Sequence, residues 1–311
     1  MTKAKAAPTR IQKTGSGHTY YLDGAYCPGV TTILSNGIPK PGLIGWASRV
    51  PADFVANTLT IAKNAEGERR IVADEMVAEL REWQQSRTGK AVKWTDGEIL
   101  PRAALSDALA SLSYRDRDLA ANRGTEVHGL AEKLIAGEEI DVPEELSGHV
   151  AAYLRFLDEW NPTEAVTERV IVNRRWRYMG KTDLIAYFEQ LPGWISERIG
   201  KSSGWGLLDV KTSRSGIFAD VALQLEAYRR GETMIEGAEE VAMPAVDFVA
   251  AIHVRADGYD VYAFDIETEA RPTTFDIFLY AMQVGNWLDW KNGPAATIKS
   301  PSLHIGHGDE T

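Results

Sequence analysis

Two apolar, strand-like runs in the second half of this chain each carry an acid where burial is expected. Gly180-Lys181-Thr182-Asp183 leads into Leu184-Ile185-Ala186, and Leu207-Leu208-Asp209-Val210-Lys211 repeats the pattern. A carboxylate among buried apolar residues is costly unless a cation or a positive side chain meets it. Side chains alternate along a strand, so Asp209 and Lys211 share one side while Val210 points away. Gln224 and Tyr228 follow at i and i+4, on one helical face. Two carboxylates and a lysine at the end of a sheet suit metal-assisted phosphodiester hydrolysis. The acids hold a hard divalent cation, and the lysine orients or helps deprotonate the attacking water. The competing explanation is an Asp–Lys ion pair that only stabilises the sheet. Two acids against one lysine, with apolar flanks on both strands, favour the site.

Other residues gather around this set. His128 lies on the polar side of a helix beside Val127, either as a surface histidine or as a further metal ligand. Glu168, in the preceding strand, is a second-metal or water ligand or else a surface residue. Gln224 and Tyr228 either position phosphate, lysine and DNA or pack as core polar groups. Arg169, Arg174-Arg175-Trp176-Arg177 and Lys181 run directly into the Asp183 strand, with Arg214 beyond Lys211. Basic residues interleaved with an aromatic can hold phosphates and stack on a base; the alternative is a solvated strand edge.

Composition narrows the chemistry. The single cysteine, Cys27, excludes an internal disulfide framework, a Cys-rich zinc site and a four-cysteine iron–sulfur cluster, and points to a reducing cytoplasm. The net charge of −10 argues mildly against bulk attraction to nucleic acid, so any such contact depends on where the positive charge clusters. No apolar run reaches membrane-spanning length, and Met1 to Arg10 has no signal-like apolar stretch. Gly180-Lys181-Thr182 and Gly200-Lys201-Ser202 resemble the end of a phosphate-binding loop, but the glycine required earlier is Arg175 in one and Ile195 in the other. No ATP site is expected. H-E-x-x-H is also missing from the sequence.

The order of patterns predicts an α/β fold: a mixed central sheet flanked by helices, with an N-terminal hairpin and helical extension. Residues 18–22 and Ala25-Tyr26-Cys27 read as a hairpin turning at Asp23-Gly24, and Val30–Leu34 continues in β-rich composition until Gly37 and Pro39. Between Leu43 and Ala121 the pattern is helical, with Ile71, Met76, Leu80 and Trp83 on one helix and Leu105, Ala108, Leu109 and Leu112 on another. Val127, Leu130, Ala131 and Leu134 form a helical stripe closed by Gly137, and Ser147 is placed to cap the next helix. Strands are expected at about 164–173, 177–189 and 206–212, a helix near 218–231, a hairpin over 248–266 and a closing helix from 274 to 290. The expected divisions are an extension over 1–121, a core over 122–292 and a tail over 293–311, with both ends, 1–16 and the tail, flexible.

These residues resemble the PD-(D/E)XK nuclease superfamily and its RecB-like exonuclease branch, in a phage-encoded form. Arg123-Gly124-Thr125-Glu126-Val127-His128 resembles the branch's histidine motif, Gly180-x-x-Asp183 its first catalytic strand, Asp209-Val210-Lys211 the (D/E)-x-K signature, and Gln224-x-x-x-Tyr228 its helical motif. The match covers about 122–290. Tyr20 to Leu34 and Pro41 to Trp46 resemble the N-terminal region of phage members less specifically. The resemblance implies a restriction-endonuclease-like core. It implies that His128, Asp183, Asp209 and the Val210 carbonyl bind Mg²⁺ or Mn²⁺, as one or two ions, with Glu168 a further candidate. Lys211 would assist the water, and Gln224 and Tyr228 would support the site. The implied activity is metal-dependent hydrolysis of DNA ends or single strands in recombination, replication or processing, in the host cytoplasm, alone or beside a recombination or replication protein and compatible with an oligomer. A structure- or site-specific endonuclease and a silent DNA-binding or assembly protein are the alternatives.

Overall fold

The structure, a computed structural model, describes residues 9–14, 17–58, 60–63, 69–72, 78–80, 82–83, 85, 102–237, 239–265 and 272–292. The chain forms two compact units, one of residues 1–39 with 127–311 and the other of residues 40–126. The N-terminal hairpin therefore groups with the main sheet and not with the helical extension. The 293–311 tail lies outside the described residues.

The larger unit is built on a seven-stranded mixed sheet. Its strands are β6 (Thr163–Asn173), β7 (Tyr178–Phe188), β8 (Gly204–Lys211), β9 (Thr233–Glu236), β10 (Glu239–Ala242), β11 (Phe248–Arg255) and β12 (Gly258–Ala263), in the spatial order β10-β9-β6-β7-β8-β11-β12. β8 and β11 are parallel and the other neighbours antiparallel. β11 is buried over nearly its whole length, as its unbroken apolar run requires of a strand covered on both faces.

Helices cover both faces. On one side, α1 (Val30–Gly37), α6 (Asp220–Arg229) and α7 (Thr274–Asn292) bury Ile33, Leu34, Leu225, Tyr228 and Phe278 against Ile185, Leu207 and Val249. On the other, residues 127–135 of α3 (Arg102–Ile135), α4 (Ser147–Trp160) and α5 (Gly193–Ile199) bury Ala131, Tyr153, Phe156 and Ile195 against Leu184, Leu208 and Ile252. A separate antiparallel sheet of β1 (Arg10–Thr14), β2 (Gly17–Leu22) and β3 (Ala25–Cys27) sets Tyr20, Leu22 and Cys27 against Val170, Val172 and Met179.

Several local expectations are corrected. Val30–Leu34 is helix, not strand, because Val30, Ile33 and Leu34 at i, i+3 and i+4 all bury on one side; tertiary burial outweighs the β-branched content. Residues 10–14 form β1, so the N-terminal stretch is ordered there. Ser147 does not cap α4 through its side chain; its hydroxyl donates to the Glu144 carbonyl at 2.8 Å within the short turn Glu144–Leu146. The stretch 190–204, unassigned from sequence, contains α5, and β9 and β10 are additional strands.

In the smaller unit, α2 (Pro41–Thr58), residues of α3 and a hairpin of β4 (Thr60–Lys63) with β5 (Arg69–Val72) are described. Phe54, Leu80, Ala108 and Leu112 form its core, and the Trp83 indole donates to Ser111 Oγ at 2.8 Å. Ile71 lies in β5, so it does not share a helix with Leu80 and Trp83; Met76 lies outside the described residues. Among the described residues, no helix is long and apolar enough to cross a membrane.

Candidate metal and catalytic site

The site forms where two neighbouring strands part. The β7–β8 ladder runs from Phe188 opposite Gly204 to Leu184 opposite Leu208 and then stops. Beyond that point β7 stays paired with β6 as far as Tyr178, and β8 stays paired with β11 as far as Lys211. Asp183 and Asp209 are the first residues past the fork. An opened ladder leaves amides without strand partners, and a side chain must supply them. Asp183 Oδ2 does so, accepting the Val210 amide at 2.8 Å.

His128 meets this junction from α3. Its Nε2 donates to the Val210 carbonyl at 2.9 Å, and its Nδ1 lies 3.3 Å from Asp183 Oδ1. Burial works against charge on the imidazole, but the hydrogen bond and charge of Asp183, with Asp209 behind it, prevail and hold its pKa above the usual range. The same burial opposes ionisation of Asp183, yet His128 and then Lys211 hold that carboxyl below its usual range.

Asp209 is engaged from its own strand and from α6. Lys211 Nζ stands 2.5 Å from its Oδ2, and the Gln224 amide donates to its Oδ1 at 2.9 Å. Gln224 also accepts from Lys211 at 3.4 Å and approaches the Tyr228 hydroxyl at 3.3 Å. Burial pushes the Asp209 carboxyl up to about 6, with Lys211 pulling it down and Asp183 adding to the rise. Lys211 is held above its usual range despite burial, by Asp209 and Asp183. It is therefore an ammonium at neutral pH, suited to donating hydrogen bonds.

Glu168 comes from an irregular point in β6. Its flanking residues pair as Thr167 with Leu184 and Arg169 with Thr182, while Glu168 itself adopts a left-handed φ of 54°. Such a conformation in a non-glycine strand residue is rare, and it occurs beside the candidate ligands. The carboxylate is ion-paired with Lys181. Ligand atoms of His128, Glu168 and Asp183 lie within 4.8 Å of one another, a cluster able to hold a metal ion. Asp209 is engaged by Lys211 and Gln224.

The donor set fits a hard or borderline cation. Two ligands about 2.1 Å from an octahedral ion and at right angles to each other are about 3.0 Å apart. The 3.3 Å between His128 Nδ1 and Asp183 Oδ1 is of that size, while the 2.9 Å to the Val210 carbonyl is made by the opposite ring nitrogen. Asp209 Oδ2 is buried and met by the Lys211 ammonium at 2.5 Å. A carboxylate oxygen carries a second lone pair that it can offer a cation.

The basic residues are largely committed elsewhere. Arg174 joins Asp23 at 2.9 Å and Glu240 at 2.5 Å, and Arg177 donates to the Leu22 carbonyl at 3.2 Å; both tie β1–β3 and the small strands to the β6–β7 turn. Arg169 lies 3.5 Å from Glu236, and Lys181 is held by Glu168. Trp176 is half-buried, packed edge-on to Phe275 with the Arg175 guanidinium over its ring. Arg175 and Arg214 are exposed. The expected continuous basic strand is thus mostly a set of internal ion pairs, which sequence adjacency did not reveal because the acids come from distant segments.

Sequence reading also missed why Gly180 is needed. A Cβ there would sit 2.5 Å from a Tyr228 ring carbon and 3.2 Å from Val30. The signal was present as a glycine inside a strand, which marks close approach.

No family model and no curated protein matches this chain. Among solved structures, the protein SSO0001 is similar at 15% identity over 72% of this chain and 98% of its own, with a TM-score of 0.24, a likeness too small to carry any inference.

Proposed function

We propose that this protein is a Mg²⁺- or Mn²⁺-dependent deoxyribonuclease, an exonuclease of the PD-(D/E)XK type that hydrolyses phosphodiester bonds in recombination, replication or DNA processing. The observation that supports it is the fork itself: Asp183, the Val210 carbonyl, His128, Asp209 and Lys211 converge where β7 and β8 separate. Carboxylates and a carbonyl favour Mg²⁺ and Mn²⁺, and one imidazole is compatible with Mn²⁺. A cation held there would polarise the scissile phosphate and lower the pKa of a bound water.

The chain's own groups supply the rest. Asp183 is the central ligand, fixed by the Val210 amide, with His128 and the Val210 carbonyl beside it and Asp209 completing the set. Glu168 stands within reach of the same position. Lys211 donates to the attacking water and to the charge developing on the phosphate, while Asp209 and Gln224 orient its ammonium. Tyr228 backs Gln224 from the next helical turn and is held protonated by burial. Arg175 and Arg214 would contact the DNA backbone, giving salt-sensitive binding without sequence preference.

The test is degradation of end-labelled linear DNA and of closed circular DNA, with Mg²⁺, Mn²⁺ or chelator, and with Lys211→Ala as control. Metal-dependent loss of the linear form alone, missing in the variant, is the expected result. Cutting of the circle would make the protein an endonuclease, and a folded, metal-loaded protein that cuts neither would overturn the proposal.

A further inference from the structure

The loop between β8 and α6 presents an aromatic side chain that the catalytic arrangement does not use. Phe218 is 58% exposed, which leaves its ring open to a planar partner. The loop carrying it is fixed. Ser213 Oγ donates to the Gly216 carbonyl at 2.7 Å, His253 Nε2 donates to the Ser213 carbonyl at 2.8 Å, and Ile217 packs into the core under α6. Gly216 takes a φ of 84°, which a side chain would resist, and the Val221 amide bonds the Phe218 carbonyl at 3.0 Å. The ring is therefore held out in the loop two residues before the helix whose Gln224 touches Asp209 and Lys211. Arg214 is exposed in the same loop, whereas Trp176, the aromatic expected to stack on a base, is engaged by Phe275 and Arg175.

We infer that Phe218 stacks on an unpaired DNA base beside the cleavage site, with Arg214 on the adjoining phosphate. The substrate class that follows is a single-stranded or frayed DNA end, because a base inside an intact duplex offers its face only to its neighbours. This rests on the nuclease reading of the adjoining site for the position of the cut, but stacking itself does not depend on cleavage.

The full-length protein is compared with Phe218→Ala and Phe218→Trp in two assays. One follows binding of a single-stranded oligonucleotide by anisotropy in chelator, with 2-aminopurine placed in turn at each of the terminal positions. The other follows KM for the same strand with Mn²⁺. Phe218→Ala is expected to weaken binding roughly 5- to 100-fold and to lose the 2-aminopurine quenching at one position, while Phe218→Trp restores both. An oligonucleotide abasic at that position should bind wild type and Phe218→Ala equally. Equal binding of the intact strand by wild type and Phe218→Ala, or no binding by either, overturns the inference. Quenching lost with Phe218→Ala in a protein that never cuts would leave the stacking standing and sink the nuclease reading; a metal-dependent nuclease indifferent to Phe218→Ala would do the reverse.

Discussion

Asp183 Oδ2 accepts the Val210 amide at 2.8 Å, so the carboxylate closes the gap left where β7 and β8 stop pairing. This one contact links the local sheet geometry to the chemistry. The amide that needs a partner belongs to the residue whose carbonyl faces His128, and the acid that serves it is itself the central candidate ligand.

Asp183→Asn should separate folding from catalysis. The amide oxygen of asparagine can still accept from Val210, so the circular dichroism spectrum and cooperative melt should be retained. The lost charge should cut metal-dependent DNA hydrolysis by at least about 100-fold. Asp209→Asn should behave alike in activity, and wild-type degradation rates in either variant would sink the assignment of these acids.

Metal affinity should depend on pH with a defined sign. Binding displaces protons from His128, held above its usual range, and from Asp209, pushed up to about 6. Mn²⁺ affinity measured by calorimetry should therefore rise between pH 5 and pH 8, by up to about tenfold per unit for each proton released. Without metal, the sign for His128 is opposite. Its raised folded pKa means that the pairing with Asp183 stabilises fully below the unfolded histidine value and fades as pH rises through the folded one. In chelator, the melting difference between wild type and His128→Ala should be largest in mild acid and shrink in alkali.

Gly180→Ala should destabilise through one identifiable clash. The added methyl would meet the Tyr228 ring at 2.5 Å, and both Tyr228 and Val30 are buried with little room to yield. A loss of about 1–3 kcal/mol is expected by thermal or urea melting, together with reduced activity as Tyr228 moves from Gln224. A melt unchanged from wild type would show that the strand and helix are not packed so closely.

The arginines should divide into two groups. Arg174→Ala removes contacts to Asp23 and Glu240, each partner charge on the same unit. Each exposed pair contributes about 1 kcal/mol or less, so a modest fall in melting temperature is expected with the salt dependence of DNA binding unchanged. Arg175→Ala and Arg214→Ala should leave the melt alone and each reduce the slope of log affinity against log salt by about 1. The opposite pattern would return Arg174 to the DNA-contacting set.

The sequence by itself determined most of the elements and the identity of the central set. The strand-like runs placed β6, β7, β8, β11 and β12 within two or three residues, and the helical stripes placed α4, α6 and α7 similarly. Asp183, Asp209 and Lys211 stood out because charge inside an apolar strand is costly wherever the strand is buried. Those signals are local, and local chemistry is written in neighbouring residues. Tertiary structure decided what no window could hold. It made Val30–Leu34 a helix by giving it an apolar face to bury. It paired Arg174 with Glu240 and Lys181 with Glu168. It opened the β7–β8 ladder at the one point where two acids stand side by side. Charge pairing and burial depend on which distant segments meet, and that is set when the sheet forms.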